Sequence, residues 1–113
     1  MSGQVSYNFT GTVMTASISG YADQSLMSGL VEIFYQKLEE DFTDFIFNFA
    51  SMKQINSSAL GELLQIVSQG MGRDNIRIYF CAVPPSCRLG MTSLGILNFV
   101  EEHDSLESAE QSI

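Results

Sequence analysis

Two short, nearly unbroken apolar runs, Phe45-Ile46-Phe47-Asn48-Phe49 and Ile76 to Val83, lie on either side of a segment with a different period. In that segment Leu60, Leu63, Leu64, Val67 and Met71 recur at i, i+3, i+4, i+7 and i+11, one stripe of an amphipathic helix that ends near Gly70 and Gly72. Strands separated by a helix cannot be joined as a tight hairpin. The pattern therefore dictates a right-handed strand-helix-strand crossover and parallel pairing. A strand this apolar is expected to be covered on both faces, which places Phe45 to Phe49 at the centre of the sheet.

The rest of the chain extends the alternation. Residues 1 to 22 carry no charged group, and Val5, Tyr7 and Phe9, followed by Val13 and Ile18, alternate loosely with small polar residues around Gly11, which predicts an opening β-hairpin. Asp23 is a good N-cap, and Leu26, Leu30, Ile33, Phe34 and Leu38 follow at helical spacing, predicting a helix over about residues 24 to 40. Pro84-Pro85 ends the second apolar run and can open a short third helix, roughly 85 to 92. Leu94 to Val100 reads as a last strand. Asp104-Ser105-Leu106-Glu107 then has the form of a capping box with Asp104 at the cap, opening a short terminal helix. The expected fold is α/β: a single domain over residues 1-113, with an N-terminal hairpin followed by βαβ units, giving a mainly parallel mixed sheet flanked by about four helices.

Composition narrows the function. With 13 Asp+Glu against 5 Lys+Arg, the net charge is -8. Lys37, Lys53, Arg73, Arg77 and Arg88 are scattered, so neither nucleic acid nor an acidic membrane surface is an expected partner. No run approaches the roughly 18 apolar residues of a membrane span, and the first cation is Lys37, so no basic signal-peptide opening is visible and a cytoplasmic location is expected. In that reducing setting Cys81 and Cys87 read as free thiols.

Enzyme signatures are sparse. The sequence has no Gly-x-Gly-x-x-Gly and no phosphate-binding loop ending in Gly-Lys-Ser/Thr. His103 is the only histidine, and with Cys81 and Cys87 it matches no recurrent zinc spacing, so no metal and no cofactor is expected. His103 itself reads as part of a solvated helix-cap segment. A serine nucleophile at Ser57 would have only His103, far away in sequence, as its base. Without a cofactor loop, a small flavodoxin-like enzyme using Cys81 is not the expected reading.

The remaining feature is Ile55-Asn56-Ser57-Ser58-Ala59-Leu60-Gly61, an amide and two hydroxyls at the start of the second helix. Asn and Ser are preferred caps, worth about 1 kcal/mol each, so the cluster can be read simply as a helix start. On spacing alone that is the simpler reading, and the functional one beside it is a phosphorylation site. A helix N-terminus offers free backbone N–H groups and a positive dipole end, which hold a phosphate of about -1.5 to -2 charges without unfolding the domain.

At these residues the sequence resembles the STAS family, the anti-sigma factor antagonists, whose motif Asp-Ser-Ser/Thr-Gly-Leu-Gly opens their second helix; here it stands as Asn56-Ser57-Ser58-Ala59-Leu60-Gly61. Ile18-Ser19-Gly20-Tyr21-Ala22-Asp23 is similar to the family's Gly-x-x-Asp turn. The strand and double proline of Ile78 to Pro85, the turn Thr92-Ser93-Leu94-Gly95 and the closing Asp104-Ser105-Leu106-Glu107 follow in the family's order. The resemblance covers nearly the whole chain. It implies a non-enzymatic binding switch whose unphosphorylated form captures an anti-sigma factor with serine kinase activity of the histidine-kinase-like ATPase type. Phosphorylation releases that partner, and a metal-dependent serine phosphatase resets the switch. The implied phosphoacceptor is Ser57, with Ser58 as the nearby alternative. The implied partner face comprises Asp23, Met52, Ile55, Asn56, Ser57, Ser58, Ala59 and Met91, of which Met52, Ile55 and Met91 fit core filling equally well. Two positions depart from the motif: Asn56 replaces its aspartate and Ala59 its glycine. The same resemblance allows an unmodified structural subunit of a stressosome-like assembly or of a transporter's ATPase complex.

Overall fold

The computed structural model describes residues 3–113. Strands β1 (Gln4–Thr10) and β2 (Val13–Ala22) form an antiparallel hairpin. They turn at Gly11-Thr12, where Gly11 takes the positive φ of 60° that a tight hairpin turn needs at its first central position. Helix α1 (Gln24–Glu39), β3 (Asp44–Ile55), α2 (Ser57–Met71), β4 (Arg77–Cys81), α3 (Pro85–Ser93), a 3-10 turn (Ile96–Phe99), β5 (Glu101–His103) and α4 (Leu106–Gln111) follow. The sheet order is β1-β2-β3-β4-β5, with every pair after the first parallel. Three successive right-handed crossovers in one direction place α1, α2 and α3 on one face.

That face holds the main core. Phe45, Phe47 and Phe49 point into it from β3, and they meet Met27, Leu30 and Phe34 of α1 and Leu63, Ile66 and Val67 of α2. The opposite face has a smaller cluster, Ile46, Tyr79, Cys81 and Ala109, with Val13 and Leu106 packed at its margin. Strand β3 is central, as its apolar run predicts, and Ile46 is buried on the second face as well as its neighbours on the first. Burial pushes the Cys81 thiol up to about 11, and Glu110 adds to the shift. Its sulfur also lies 3.8 Å from the Phe47 carbonyl. Neither Cys81 nor Cys87 is bridged, and both are buried. Native protein treated with a thiol-reactive disulfide near about pH 8 is expected to show no fast-reacting thiol, and both should titrate on unfolding. A thiol that reacts within seconds in the native state would contradict this packing.

Three sequence expectations are corrected. Leu94 to Val100 is not a strand. Gly95 sits at φ 73° and opens the 3-10 turn, which lets Ile96 enter the core. The last strand is instead Glu101–His103, which pairs through its backbone with Tyr79 to Cys81. His103 is consequently a strand residue with a side chain only 16% exposed, not part of a solvated cap. The α4 cap is Ser105, whose hydroxyl accepts from the Ser108 N–H at 3.1 Å, in place of Asp104.

Candidate functional site

Strand β3 continues well past the apolar run. It pairs with β4 only as far as Asn48↔Cys81, while Phe49 to Ile55 run on beside β2 alone. Between Ser17↔Asn48 and Tyr21↔Gln54 the register slips twice, each time with an extra residue on β3. Such bulges bend and twist a strand end, here the one that delivers the chain to Asn56. Ala22 is registered with Ile55, so α1 and α2 start from adjacent strand ends.

Asn56 joins the two starts. Its Oδ1 accepts from the Ala59 N–H at 2.8 Å, its Nδ2 donates to the Tyr21 hydroxyl at 3.2 Å, and its backbone N–H donates to the Ala22 carbonyl at 3.2 Å. On the adjacent helix, Asp23 accepts from the Leu26 N–H at 2.9 Å. Ser57 and Ser58 are the first two residues of α2, and both are exposed. The first N–H groups of a helix have no partner one turn back; here the Asn56 side chain takes the third, and those of Ser57 and Ser58 lie before it. No acidic residue stands in the first turn of α2, and the cap itself is neutral. No charge on α2 itself therefore offsets the positive end of the helix.

The other residues of the implied partner face divide. Asp23, Ile55 and Asn56 are half-buried, whereas Met52 is 4% exposed and Ala59 and Met91 are fully buried. Met52, Ala59 and Met91 are thus core residues, not contact area: Met52 sits on the inward side of the strand extension and Met91 on the inward side of α3. Helix α3 lies against the first turn of α2. A methyl group at Gly90 would come within 2.8 Å of the Leu60 Cδ1, so the glycine permits that approach. The exposed side of α3 instead presents Leu89, 77% exposed. Tyr21 is the participant that sequence reasoning missed. It holds the cap across 35 residues, and no local pattern encodes such a pairing.

A second polar cluster lies at β5 and α4. His103 Nδ1 is 2.8 Å from the Ser108 hydroxyl and Nε2 is 3.1 Å from Glu101, which also accepts from Ser112 at 3.1 Å and pairs with Arg77 at 3.3 Å. The His103 contact, followed by Ser112 and Arg77, holds the Glu101 carboxyl below its usual range. This chain of contacts fastens α4 to the sheet edge. Among the described residues there is no group of His, Cys, Asp and Glu that could hold a metal ion. No helix among them is long and apolar enough to cross a membrane.

A five-stranded mixed sheet opened by an antiparallel hairpin, its remaining strands parallel and joined through helices, is a STAS-like fold, the fold of solved anti-sigma factor antagonists. No protein-family model matches the sequence, and no curated protein does. Solved structures carry the likeness. SpoIIAA, an anti-sigma factor antagonist, in its unphosphorylated form is 14% identical over 96% of this chain and 94% of its own, with a TM-score of 0.82. The phosphorylated form from Bacillus gives 0.77 at 14% identity, over 96% and 99%. An anti-sigma factor antagonist from Mycobacterium paratuberculosis is 15% identical over 99% and 94%, with a TM-score of 0.80. A stressosome chain is 12% identical over 95% and 94%, with a TM-score of 0.66.

The Asn56 bonds predict a measurable cost. Asn56→Ala removes the cap and the tie to Tyr21, and is expected to destabilise by about 1 to 2 kcal/mol in denaturant unfolding. Asn56→Asp keeps the acceptor for Ala59 and should stay within about 1 kcal/mol of wild type. Equal stability of Asn56→Ala and wild type would show that the cap contributes nothing.

Proposed function

We propose that this protein is a phosphorylation-controlled binding regulator, with no catalytic activity of its own, whose switch residue is Ser57. The observation that carries the reading is the exposed Ser57 at an α2 start whose neutral Asn56 cap is already held on both sides. A phosphate on Ser57 meets unpaired N–H groups and a positive helix end, and the cap need not move to admit it. The domain thus tolerates the dianion while the face around Ser57 gains negative charge. Structures of SpoIIAA in unphosphorylated and phosphorylated forms supply the precedent on this fold. The partner is an anti-sigma factor with serine kinase activity of the histidine-kinase-like ATPase type, and a metal-dependent serine phosphatase restores the binding form. Ser58 is the alternative acceptor. The docking face consists of Asp23, Ile55, Asn56, Ser57 and Ser58, the members of the implied set that reach the surface.

A neutral Asn56 has one consequence for the chemistry. An aspartate there would set a carboxylate beside the incoming phosphate, whereas the amide removes that repulsion from the acceptor. The stressosome chain of the same fold favours a second reading, a structural subunit that acts without modification.

Partner capture from the source organism with wild type, Ser57→Ala and Ser57→Asp as baits separates the two. Retention of a kinase-type protein by the first two baits and its loss with the third, with phosphate mapped to Ser57, supports the switch. One assembly held by all three baits, with no phosphate found, supports the structural subunit.

A further inference from the structure

The two edges of the sheet are built differently. Strand β5 is three residues long, carries Glu101 and Glu102 paired with Arg77 and Arg88, and is followed directly by α4, which packs against it. Short length, charge and cover are the usual protections of an edge strand. Among the described residues, strand β1 has none of them. It is seven residues long, contains no charge and no proline, and stays in unbroken register with β2 from Gln4↔Ser19 to Thr10↔Val13.

Its free backbone groups can be assigned. In a two-residue hairpin the flanking pair, here Thr10 and Val13, exchanges hydrogen bonds, and alternate residues behind it do the same. The N–H and C=O groups of Val5, Tyr7 and Phe9 therefore point away from β2, and none of them has another backbone partner among the described residues.

Charge points to the occupant. All 13 acidic and 5 basic residues lie at or beyond Asp23, so in a chain of net charge -8 the hairpin is the segment two copies can bring together without like-charge repulsion. The nearest cation, Lys37, lies 4.4 Å over the Phe9 ring and is paired with Glu40 at 2.9 Å. The strand also complements itself. Val5 and Tyr7 are half-buried on the helix side, while Gln4, Ser6, Asn8 and Thr10 are exposed on the other.

We propose that two copies of this chain associate through antiparallel pairing of their β1 edges, giving one sheet continuous across the dimer. With Tyr7 opposite Tyr7 of the second copy and Val5 opposite its Phe9, the outward backbone groups of all three residues pair. Apolar side chains then meet apolar, and Ser6 faces Asn8 of the second copy. Strand β2 separates β1 from β3, so Ser57 stays open in both copies and the proposal stands apart from the switch.

Sedimentation equilibrium from about 10 to 500 µM tests it, because a small strand-edge interface belongs among the weaker complexes. Wild type is expected to approach twice the 12.5 kDa chain mass reversibly. The double variant Ser6→Lys with Asn8→Lys sets like charges across the pairing and should associate at least about tenfold more weakly. Both sites are exposed, so its circular dichroism and melting temperature should match wild type. The double variant Ser6→Glu with Asn8→Glu should also be monomeric, and mixing it with the lysine variant should restore the dimer. A monomeric wild type, a dimer indifferent to both charge variants, or a mixture that fails to associate overturns the proposal. So does a monomer whose β1 amides become protected only when an unrelated extended peptide is added.

Discussion

Stoichiometric phosphorylation of Ser57 is expected to weaken capture of the kinase-type partner by about 30- to 1000-fold, corresponding to roughly 2 to 4 kcal/mol. The physical cause lies in where the charge sits. Ser57 is exposed on the first turn of α2, and in the proposed docking face a bound partner would cover it and strip water from whatever it carries. A hydroxyl loses little on being covered. A dianion without a paired cation in the interface costs several kcal/mol, and the acidic chain supplies no neighbouring cluster of cations to offset it. The folded domain tolerates the same group, because the unpaired N–H groups of the α2 start stabilise it. Affinity and stability should therefore separate. Calorimetric titration of unmodified and fully phosphorylated protein against the captured partner should show the loss, while their melting temperatures agree within a few degrees, on the order of 1 kcal/mol. Ser57→Ala should bind as unmodified protein does. Ser57→Asp, with one charge where phosphate has nearly two, should fall between them. Equal affinity of the two forms would sink the switch.

Most of the architecture is legible in the sequence because burial leaves a period. Of the stripe Leu60, Leu63, Leu64, Val67 and Met71 the structure buries Leu60, Leu63 and Val67, half-buries Leu64 and leaves Met71 exposed at the last turn. The unbroken run Phe45 to Phe49 records cover on both faces, with Phe45, Phe47 and Phe49 buried on one and Ile46 on the other. Gly11 and Asp23 record backbone geometry and capping equally directly. Where burial was not the cause of structure, the pattern misled. Strand β5 is held by backbone pairing to β4 at a charged edge, so Glu101-Glu102-His103 has no apolar alternation to read. Leu94 to Val100 has apolar residues for the opposite reason: Ile96 fills the core from a 3-10 turn that Gly95 starts. The full length of β3 has no sequence signature, because two register shifts break its period after Asn48. At the site, Asn56, Ser57 and Ser58 are found where the motif places them, at the cap and first turn of α2. The Tyr21 hydroxyl bond and the burial of Met52 and Met91 are tertiary facts, since a methionine's spacing does not say which way its strand or helix is turned.

Phe80→Ala is expected to cost about 3 to 5 kcal/mol, the largest loss of stability among the substitutions considered. Phe80 is fully buried on β4, with its ring centroid 4.8 Å from that of Phe49 and 5.9 Å from that of Phe47, both at steep edge-on angles. Removing the ring leaves a cavity on the helix face of the sheet, beside Phe47 and Phe49, that the close-packed core around it fills only in part. Within a typical domain stability of about 5 to 15 kcal/mol, such a loss lowers the melting temperature by roughly 10 to 25 °C at this chain length. Phe80→Leu keeps most of the volume and should lose far less, about 1.5 kcal/mol or under. Scanning calorimetry checks both, and a Phe80→Ala midpoint within a few degrees of wild type would contradict this packing. The same variant isolates the switch from the scaffold. Phe80 lies beneath the stretch of β3 that leads to Asn56 but does not reach the surface, so below its lowered midpoint Phe80→Ala should bind the partner with near wild-type affinity. Ser57→Asp should do the reverse, keeping the midpoint and losing the partner. Two variants failing in opposite assays would locate stability in the aromatic cluster and recognition at the start of α2.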